Sequence, residues 1–262
     1  MAPKEIGMKY SKHKVGAIKE FSVNTFEELR DLIENEINNI DDYVFRGQSN
    51  AEWQLTSTLD RLIRHARQTG VKEGSIGVFV EKHLDRFRLE IRGRRGDNPS
   101  KLEEDELWAL GQHYGLATPL LDWSKSPYIA VFFALASLDN NDAERVLWCL
   151  NQRQVDLINR DLREQEKLHL IFPDSDDNKR LLGQSGLFSK GPVMKHVDEW
   201  VRENSRNPNT LVLLKVVFPG DRHFRKLALK KLQLMNITHS TLFPDIAGAG
   251  LYCNIVAEGY EI

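Results

Sequence analysis

Two short segments of this chain bring together the residue types that polar binding sites use. Residues 43–49 read YVFRGQS, which places Arg46 and Gln48 at the end of a short β-rich run. Residues 107–134 place histidine, tyrosine, threonine, aspartate, tryptophan and serine side chains between two apolar helical patterns. Because flanking helices hold such a loop rigidly, it indicates a binding or catalytic site rather than a connector.

Arg46 stands beside Gly47 at the end of the predicted strand. A planar guanidinium donates paired hydrogen bonds to a phosphate or a carboxylate, and a glycine lets a ligand or another backbone approach closely. The same arginine fits a buried structural ion pair equally well, and Asp122 is then the obvious partner. Both interpretations stay open from the sequence.

The loop residues also allow more than one role. His113 precedes Tyr114 in the last turn of a predicted helix, and it fits a proton acceptor, a hydrogen-bonding group or an imidazole oriented by an acid. Asp122 follows two leucines at the polar end of an apolar strand or turn. Trp123 is more typical of a core side chain than of a stacking surface.

Ser124 and Ser126 precede Pro127, whose ring suits the first turn of a helix. Ser126 is the expected N-cap, and the N–H groups of a helix N-terminus also bind anions. We therefore expect Arg46, His113 and Asp122 to share one pocket that takes an anionic ligand. The residues predicted to contact this ligand are Arg46, Gln48, Tyr114, Ser124 and Ser126.

Length and composition limit the class of protein. The chain has 262 residues, 41% of them hydrophobic, so it is long enough to bury a substantial core. Its net charge of −2 argues against a nucleic-acid binder that relies on bulk positive charge. Residues 61–95 are an exception, since ten Lys and Arg face only four Asp and Glu there. A solvated helix face and an anion-facing surface are both consistent with this local excess.

No apolar stretch is long enough to cross a membrane and no secretory signal is recognisable, so we expect a cytoplasmic protein without membrane contact. Cys149 and Cys253 lie in apolar runs without metal-ligand spacing, and both are predicted core residues. Glycine-rich phosphate loops, HExxH, GxSxG and paired Cys/His zinc patterns do not occur. The sequence therefore predicts neither a metal nor a prosthetic group.

The pattern of elements predicts an α+β fold. Residues 1–20 are expected to be a loosely ordered lead-in, and residues 21–262 a single domain. Thr25 is the predicted cap of an amphipathic helix, with Glu28 as its capping-box partner. A helix that begins at Pro127 is apolar on most sides and is therefore central. Because helices and strands do not alternate regularly, we expect helices packed around a small twisted sheet that is not doubly wound.

A longer pattern resembles the FRG-domain family, which is named for a Phe-Arg-Gly motif and found mostly in bacteria and their mobile elements. Four segments carry the resemblance, in the family's order. They are the triplet Phe45-Arg46-Gly47, the run QHYG-x-x-T-x-LLDWS-x-SP-x-x-A-x-FFA at residues 112–134, residues 178–188, and Leu242-Phe243-Pro244-Asp245. The second segment is long and specific, so the resemblance implies the fold more firmly than an activity.

A second resemblance connects the chain to ADP-ribosyltransferases. A strand-end arginine followed by glycine, and a later serine-rich run, are similar to the Arg and Ser-Thr-Ser motifs of those enzymes, with Arg46 and residues 123–126 in the corresponding places. Such enzymes hold NAD by its phosphate and nicotinamide ribose, and a later glutamate stabilises the transition state. Gln184 stands roughly in that place here, and a neutral amide does not stabilise positive charge as a carboxylate does.

Two hypotheses of different class follow. In the first, the protein is a metal-independent enzyme of the ADP-ribosyltransferase or NAD-cleaving kind, used as an effector in conflict between bacteria and phage. Its predicted catalytic residues are His113, Asp122 and Gln184, and NAD is the candidate substrate. In the second, the protein binds a nucleotide or a nucleic-acid end without turnover. The predicted partners are a nucleotide or dinucleotide and a nucleic-acid or protein target, with the oligomeric state left open.

Overall fold

The computed structural model describes residues 11–37, 39–97, 99–136, 143–172, 185–207, 210–243 and 245–257. Strands and helices both run through these ranges. The strands are Ser11–Val15 (β1), Ile18–Ser22 (β2), Tyr43–Gln48 (β3), Leu120–Ser124 (β4), Arg145–Asn151 (β5), His169–Ile171 (β6), Gly186–Lys190 (β7) and Leu213–Phe218 (β8). The helices are Phe26–Glu36 (α1), Thr58–Gln68 (α2), Ile76–Glu90 (α3), Glu104–His113 (α4), Pro127–Ala136 (α5), Gln152–Asn159 (α6), Val197–Asn204 (α7), Arg222–Leu234 (α8), His239–Leu242 (α9) and Ile246–Ala257 (α10).

The described strands form one eight-stranded sheet in the order β1-β2-β8-β5-β3-β4-β7-β6. Neighbouring strands are antiparallel except β2 and β8, which are parallel. A doubly wound fold alternates single strands and single helices. In the described ranges three helices lie between the paired strands β3 and β4 and none between β1 and β2, so this regular alternation is absent. The predicted α+β fold class is confirmed.

Apolar side chains cover both faces of the sheet. On one face, α1, α5 and α8 pack against β2, β3, β5 and β8. On the other face, α6 and α7 cover side chains from the alternate positions of β3, β4, β5 and β8. A third cluster joins α2, α3 and α4 to β4 and β7. The strands in the middle of the sheet are therefore buried on both sides, which explains the continuous apolar run of β5 and β8.

Helix α5 is central, as its sequence predicts. Most of its side chains are buried, and the Oγ of Ser126 accepts a hydrogen bond from the N–H of Ile129 at 3.3 Å, so Ser126 is the expected cap. Its backbone lies against β3 at Gly47. A Cβ atom on Gly47 would lie 1.8 Å from the carbonyl oxygen of Ala130. Only glycine therefore fits at this position of β3. Glycine is required because a side chain would clash with α5, and not because of an unusual backbone conformation.

The cap of α1 is also confirmed. The hydroxyl of Thr25 accepts a hydrogen bond from the N–H of Glu28 at 3.2 Å, while the Glu28 carboxylate accepts one from the N–H of Asn24 at 2.8 Å. Glu28 thus reaches one residue beyond the cap. The N–H groups of Asn24 and Glu28 are both satisfied in this way.

Two expectations are wrong. Residues 11–20 are not a loosely ordered lead-in, because β1 and β2 lie in the sheet and β2 pairs with β8 along its whole length. The folded region therefore begins before residue 21, while residues 1–10 lie outside the described ranges. Cys149 is a buried core residue as expected, but Cys253 is exposed on α10. The apolar run around Cys253 belongs to a helix that packs mainly against the short α9 rather than to a core strand.

Candidate functional site

A cavity opens where β3 and β4 meet. In the described structure these two strands are joined through one residue pair, Phe45 with Ser124. Continuing this antiparallel register would place Gly47 opposite Asp122, but the two residues do not pair. A cavity of about 340 Å³, which we call the β3–β4 cavity, lies at this divergence. Its walls include Arg46, Asp122, Trp123, Ser124, Phe133 and Phe243.

Arg46 bridges the gap between the diverging strands. Its Nη1 donates to the carbonyl oxygen of Asp122 at 2.7 Å and lies 3.8 Å from the Asp122 carboxylate. This carbonyl group would otherwise face β3 across the gap, so the side chain replaces part of the missing strand pairing. The Arg46 side chain is 21% exposed, and its Nε is buried without a hydrogen-bond partner in the described part of the chain. The exposed part of the Arg46 side chain lines the β3–β4 cavity.

The electrostatic surroundings of Arg46 are mixed. Burial lowers the pKa of Arg46, the Asp122 carboxylate acts in the opposite direction, and Arg61 of α2 lowers it further. Arg61, in the basic segment at residues 61–95, therefore adds a second positive charge that acts on Arg46. A ligand anion near Arg46, in addition to the Asp122 carboxylate, would offset both the cost of burying the guanidinium and its repulsion from Arg61.

Asp122 is held by an amide. Nε2 of Gln112 donates to Oδ2 of Asp122 at 2.9 Å, and the Oε1 of Gln112 accepts a hydrogen bond from the hydroxyl of Thr118. The Asp122 side chain is 61% exposed, which does not fit the buried ion pair considered from the sequence. The Arg46–Asp122 pairing exists, but its carboxylate faces the solvent and the cavity.

Two aromatic side chains in contact with each other also line the cavity. Phe133 projects from α5 and meets Phe243 edge to face, with ring centroids 5.9 Å apart. Phe243 comes from the loop after α9, so a distant part of the chain completes the cavity. Trp123 is buried and donates from Nε1 to the Ser189 hydroxyl at 2.8 Å, which confirms the expectation that it is a core side chain.

The remaining predicted residues lie beside the cavity or away from it. His113 packs edge-on against Tyr114, which is exposed, and neither lines the cavity. Gln48 is buried, accepting from Trp148 Nε1 at 2.8 Å and donating to the Gln54 carbonyl at 3.3 Å, so its amide is engaged by the protein. Gln184 lies outside the described residues.

The two serines have mainly structural contacts. Ser124 is buried at the cavity wall, and its Oγ accepts from the N–H of Ser126 at 3.0 Å. Ser126 caps α5 and does not line the cavity. The structure therefore brings Arg46, Asp122 and Ser124 to one cavity and places His113 outside its lining. The catalytic and ligand-binding roles of all these residues stay predictions.

Sequence reasoning missed three residues at this site, namely Gln112, Phe133 and Phe243. Gln112 precedes His113, and neighbouring residues of a helix point about 100° apart, so the histidine turns away where the glutamine reaches Asp122. Phe243 belongs to the fourth motif of the FRG resemblance, which was the only signal available for it.

Metal binding has no visible support in the parts of the chain that are described. No group of three or more His, Cys, Asp or Glu side chains is placed there to hold a metal ion. Nor does any described helix combine the length and the apolar character that crossing a bilayer requires.

The fold and the cavity define an α+β protein with a polar site at a break in its sheet. Comparison with protein families shows that residues 41–143 match the FRG domain. The matched segment runs from the start of β3 to just before β5, and it contains Arg46, Gln112, Asp122 and Phe133. The FRG resemblance is thereby confirmed for this segment, while Phe243 lies beyond it. No curated protein and no solved structure matches the chain.

Proposed function

We propose that the β3–β4 cavity binds a nucleotide or a dinucleotide, with NAD as the leading candidate. The Arg46 side chain, which lines the cavity and is 21% exposed, carries this proposal. A guanidinium only donates hydrogen bonds, so the ligand group that it binds is an acceptor. A phosphate oxygen is such an acceptor, and a guanidinium binds it through two parallel hydrogen bonds.

The other groups at the cavity favour a nucleotide over a simple anion. Inorganic phosphate would use Arg46 alone and would be repelled by Asp122, whose carboxylate lies 3.8 Å from the guanidinium. A ribose offers hydroxyl donors to that carboxylate, and a base or nicotinamide ring offers a flat face to Phe133 and Phe243. A ligand with all three parts uses every side of the cavity.

Size restricts how much of the ligand enters. The cavity volume of about 340 Å³ is near the lower end of the usual range of ~300–1,000 Å³ for small-molecule sites. One nucleoside with its phosphate fits this volume, whereas a complete dinucleotide does not. The second half of NAD would lie outside, toward the basic segment that includes Arg61.

Binding is tested by thermal stabilisation with NAD, ADP-ribose, AMP and inorganic phosphate. We expect NAD or another nucleotide to raise the melting temperature of the wild-type protein, and Arg46→Ala to remain folded and lose that response. Arg30→Ala is the matched control, since Arg30 is an exposed arginine of α1 that pairs with Asp31. An equal shift in the wild type and in Arg46→Ala would refute the proposal, as would the absence of any shift across a broad nucleotide panel.

A second candidate function is cleavage of NAD, which the exposed and oriented carboxylate of Asp122 favours. In this reaction the bond between the ribose and nicotinamide breaks, and its electron pair leaves with neutral nicotinamide. The sugar develops positive charge until water or a target nucleophile adds to it and loses a proton. A fixed carboxylate at the cavity stabilises that charge. Asp122 would then have the part that the glutamate has in ADP-ribosyltransferases.

For Asp122→Asn we expect turnover of NAD to fall by a factor on the order of 10² or more, with ligand affinity changed only a few-fold. The reason is that charge on the sugar develops only in the transition state. Because the carboxylate is exposed, the free energy of unfolding should change by less than about 1 kcal/mol. Mass spectrometry detects released nicotinamide and mass added to the protein or to nucleic acid. A folded, fully active Asp122→Asn protein removes Asp122 from catalysis.

The binding and cleavage experiments distinguish these two functions. Nucleotide binding with NAD left intact by the wild type makes the protein a binding module. Release of nicotinamide makes it an enzyme, and the acceptor of ADP-ribose is then found from the added mass. The effector role in conflict between bacteria and phage rests on the family resemblance and is tested by phage infection of cells carrying the wild type or Asp122→Asn.

A further inference from the structure

A chain of hydrogen bonds runs from the start of α2 to the cavity. The N–H of Thr118 donates to the hydroxyl of Thr58 at 2.8 Å, and the Thr118 carbonyl accepts from the N–H of Leu59 at 3.0 Å. The Thr118 hydroxyl contacts Gln112 Oε1, and Gln112 Nε2 contacts Asp122 Oδ2 at 2.9 Å. Thr118 is fully buried, so its position is fixed by packing as well as by these bonds.

The direction of each hydrogen bond in this chain follows from its neighbours. The N–H of Leu120 points to the Thr118 hydroxyl oxygen at 3.3 Å, so this oxygen already serves as an acceptor. The hydroxyl proton is then free to be donated to Gln112. An amide that accepts at Oε1 must turn its Nε2 hydrogens the other way, toward Asp122. The Asp122 carboxylate can only accept, so it requires Nε2 of Gln112 to face it, and the Thr118 hydroxyl supports this orientation by donating to Oε1.

This contact divides the two oxygens of Asp122 between protein and cavity. Oδ2 accepts from Gln112 and is the oxygen near Arg46 Nη1, at 3.8 Å. Oδ1 makes no hydrogen bond to any group in the described ranges. An exposed aspartate would otherwise rotate freely, and a side chain fixed in advance loses less freedom when a ligand binds.

We propose that Gln112 is a positioning residue, supported by the Thr118 hydroxyl, that holds Asp122 with Oδ1 presented to the ligand in the cavity. Gln112 acts through Asp122 and not on the ligand itself, since it does not line the cavity. The inference rests on the proposed function for the role of Oδ1, while the orientation of the amide stands on the hydrogen bonds alone. The class of group recognised by Oδ1 is a hydrogen-bond donor, such as a ribose hydroxyl.

The first test needs no ligand. In the proton–nitrogen spectrum, the side-chain amide signals of Gln112 are assigned by their loss in Gln112→Leu. We expect Asp122→Asn and Thr118→Val to shift these signals, and Thr118→Ser, which keeps the hydroxyl, to leave them near their wild-type positions. Thr69→Val is the matched control, since the Thr69 hydroxyl contacts only the Ala66 carbonyl at a helix end. If the Gln112 amide signals do not shift in Asp122→Asn, the proposal is overturned.

The second test uses NAD. Gln112→Leu and Thr118→Val should reduce kcat/KM, or affinity if NAD is bound without turnover, by about tenfold to a hundredfold, the range for a hydrogen bond to a charged group. Thr118→Ser should restore the value to within about threefold of the wild type. Equal losses in Thr118→Val and Thr118→Ser would overturn the proposal, because the hydroxyl would then not be the cause.

The two tests distinguish this inference from the proposed function. If no nucleotide binds to the wild type but the Gln112 amide signals shift as expected in the variants, the nucleotide site is refuted and the orientation of Asp122 is upheld. A wild type that binds or cleaves NAD, with Gln112→Leu and Thr118→Val unchanged, upholds the site and refutes the positioning role. A loss of melting temperature without either change also refutes it, since packing alone would then explain Thr118.

Discussion

Gly47→Ala is expected to lower the free energy of unfolding by about 3 kcal/mol or more, at the upper end of the usual cost of overpacking. The added Cβ would lie 1.8 Å from the Ala130 carbonyl oxygen and 2.8 Å from the Ala134 nitrogen. Both are backbone atoms of α5, so they move only if the whole helix moves away from β3. Urea unfolding of the wild type and the variant measures the loss.

Gly77→Ala is the matched control for this change. Gly77 lies in α3, and a Cβ there would meet no atom within 4 Å. We expect this variant to be at least as stable as the wild type, because alanine is the better helix former and Gly77 is in the first turn of α3. A Gly47→Ala protein as stable as the wild type would show that α5 and β3 do not approach as described.

Phe132→Ala is expected to cost about 3–5 kcal/mol, the usual range for removing a buried phenylalanine. Phe132 is buried in α5, and its ring centroid lies 4.8 Å from that of His239 and 5.9 Å from that of Phe133. Such a loss approaches the whole stability of many domains, which is about 5–15 kcal/mol. Urea unfolding followed by tryptophan fluorescence measures it.

Leu234→Ala is the control for removal of apolar volume, since Leu234 is 82% exposed at the end of α8. This substitution should change the free energy of unfolding by less than about 0.5 kcal/mol. A loss below about 1 kcal/mol in Phe132→Ala would contradict a central position for α5. Phe133→Ala should cost less than Phe132→Ala, because the Phe133 side chain is only partly buried against the core and also lines the cavity.

Local signals were sufficient for much of the fold. The caps at Thr25 and Ser126 depend on hydrogen bonds within four residues, so the sequence alone predicted both. The central position of α5 followed from apolar residues on most of its faces. Arg46 and Asp122 were predicted to be neighbours because each was expected at the polar end of an apolar element. Both lie within their strands instead, and the two residues do meet at the cavity.

Other features depend on contacts between distant parts of the chain. The strand β2 pairs with β8 in parallel, and Ile18 lies opposite Leu213, so nothing local marks the first residues as part of the sheet. Phe243 reaches the cavity by packing on Phe133 from the far end of the sequence. The sequence predicted His113 beside Asp122, but Gln112 contacts Asp122 instead. Which of these two neighbouring side chains faces Asp122 depends on the rotation of α4 about its axis, which a motif does not specify.

The single pairing between β3 and β4 has a mechanical consequence. Five strands lie on one side of that junction and three on the other, in the described structure, so hydrogen bonds between strands contribute little to holding the two groups together. That task falls largely to α5, which packs against β3, β4 and β5 at once. The close approach at Gly47 fixes where α5 lies on β3, and therefore also where it meets β4 in the other group. Larger side chains on that face of α5 would lift the helix off the sheet and so loosen the connection between the two groups of strands.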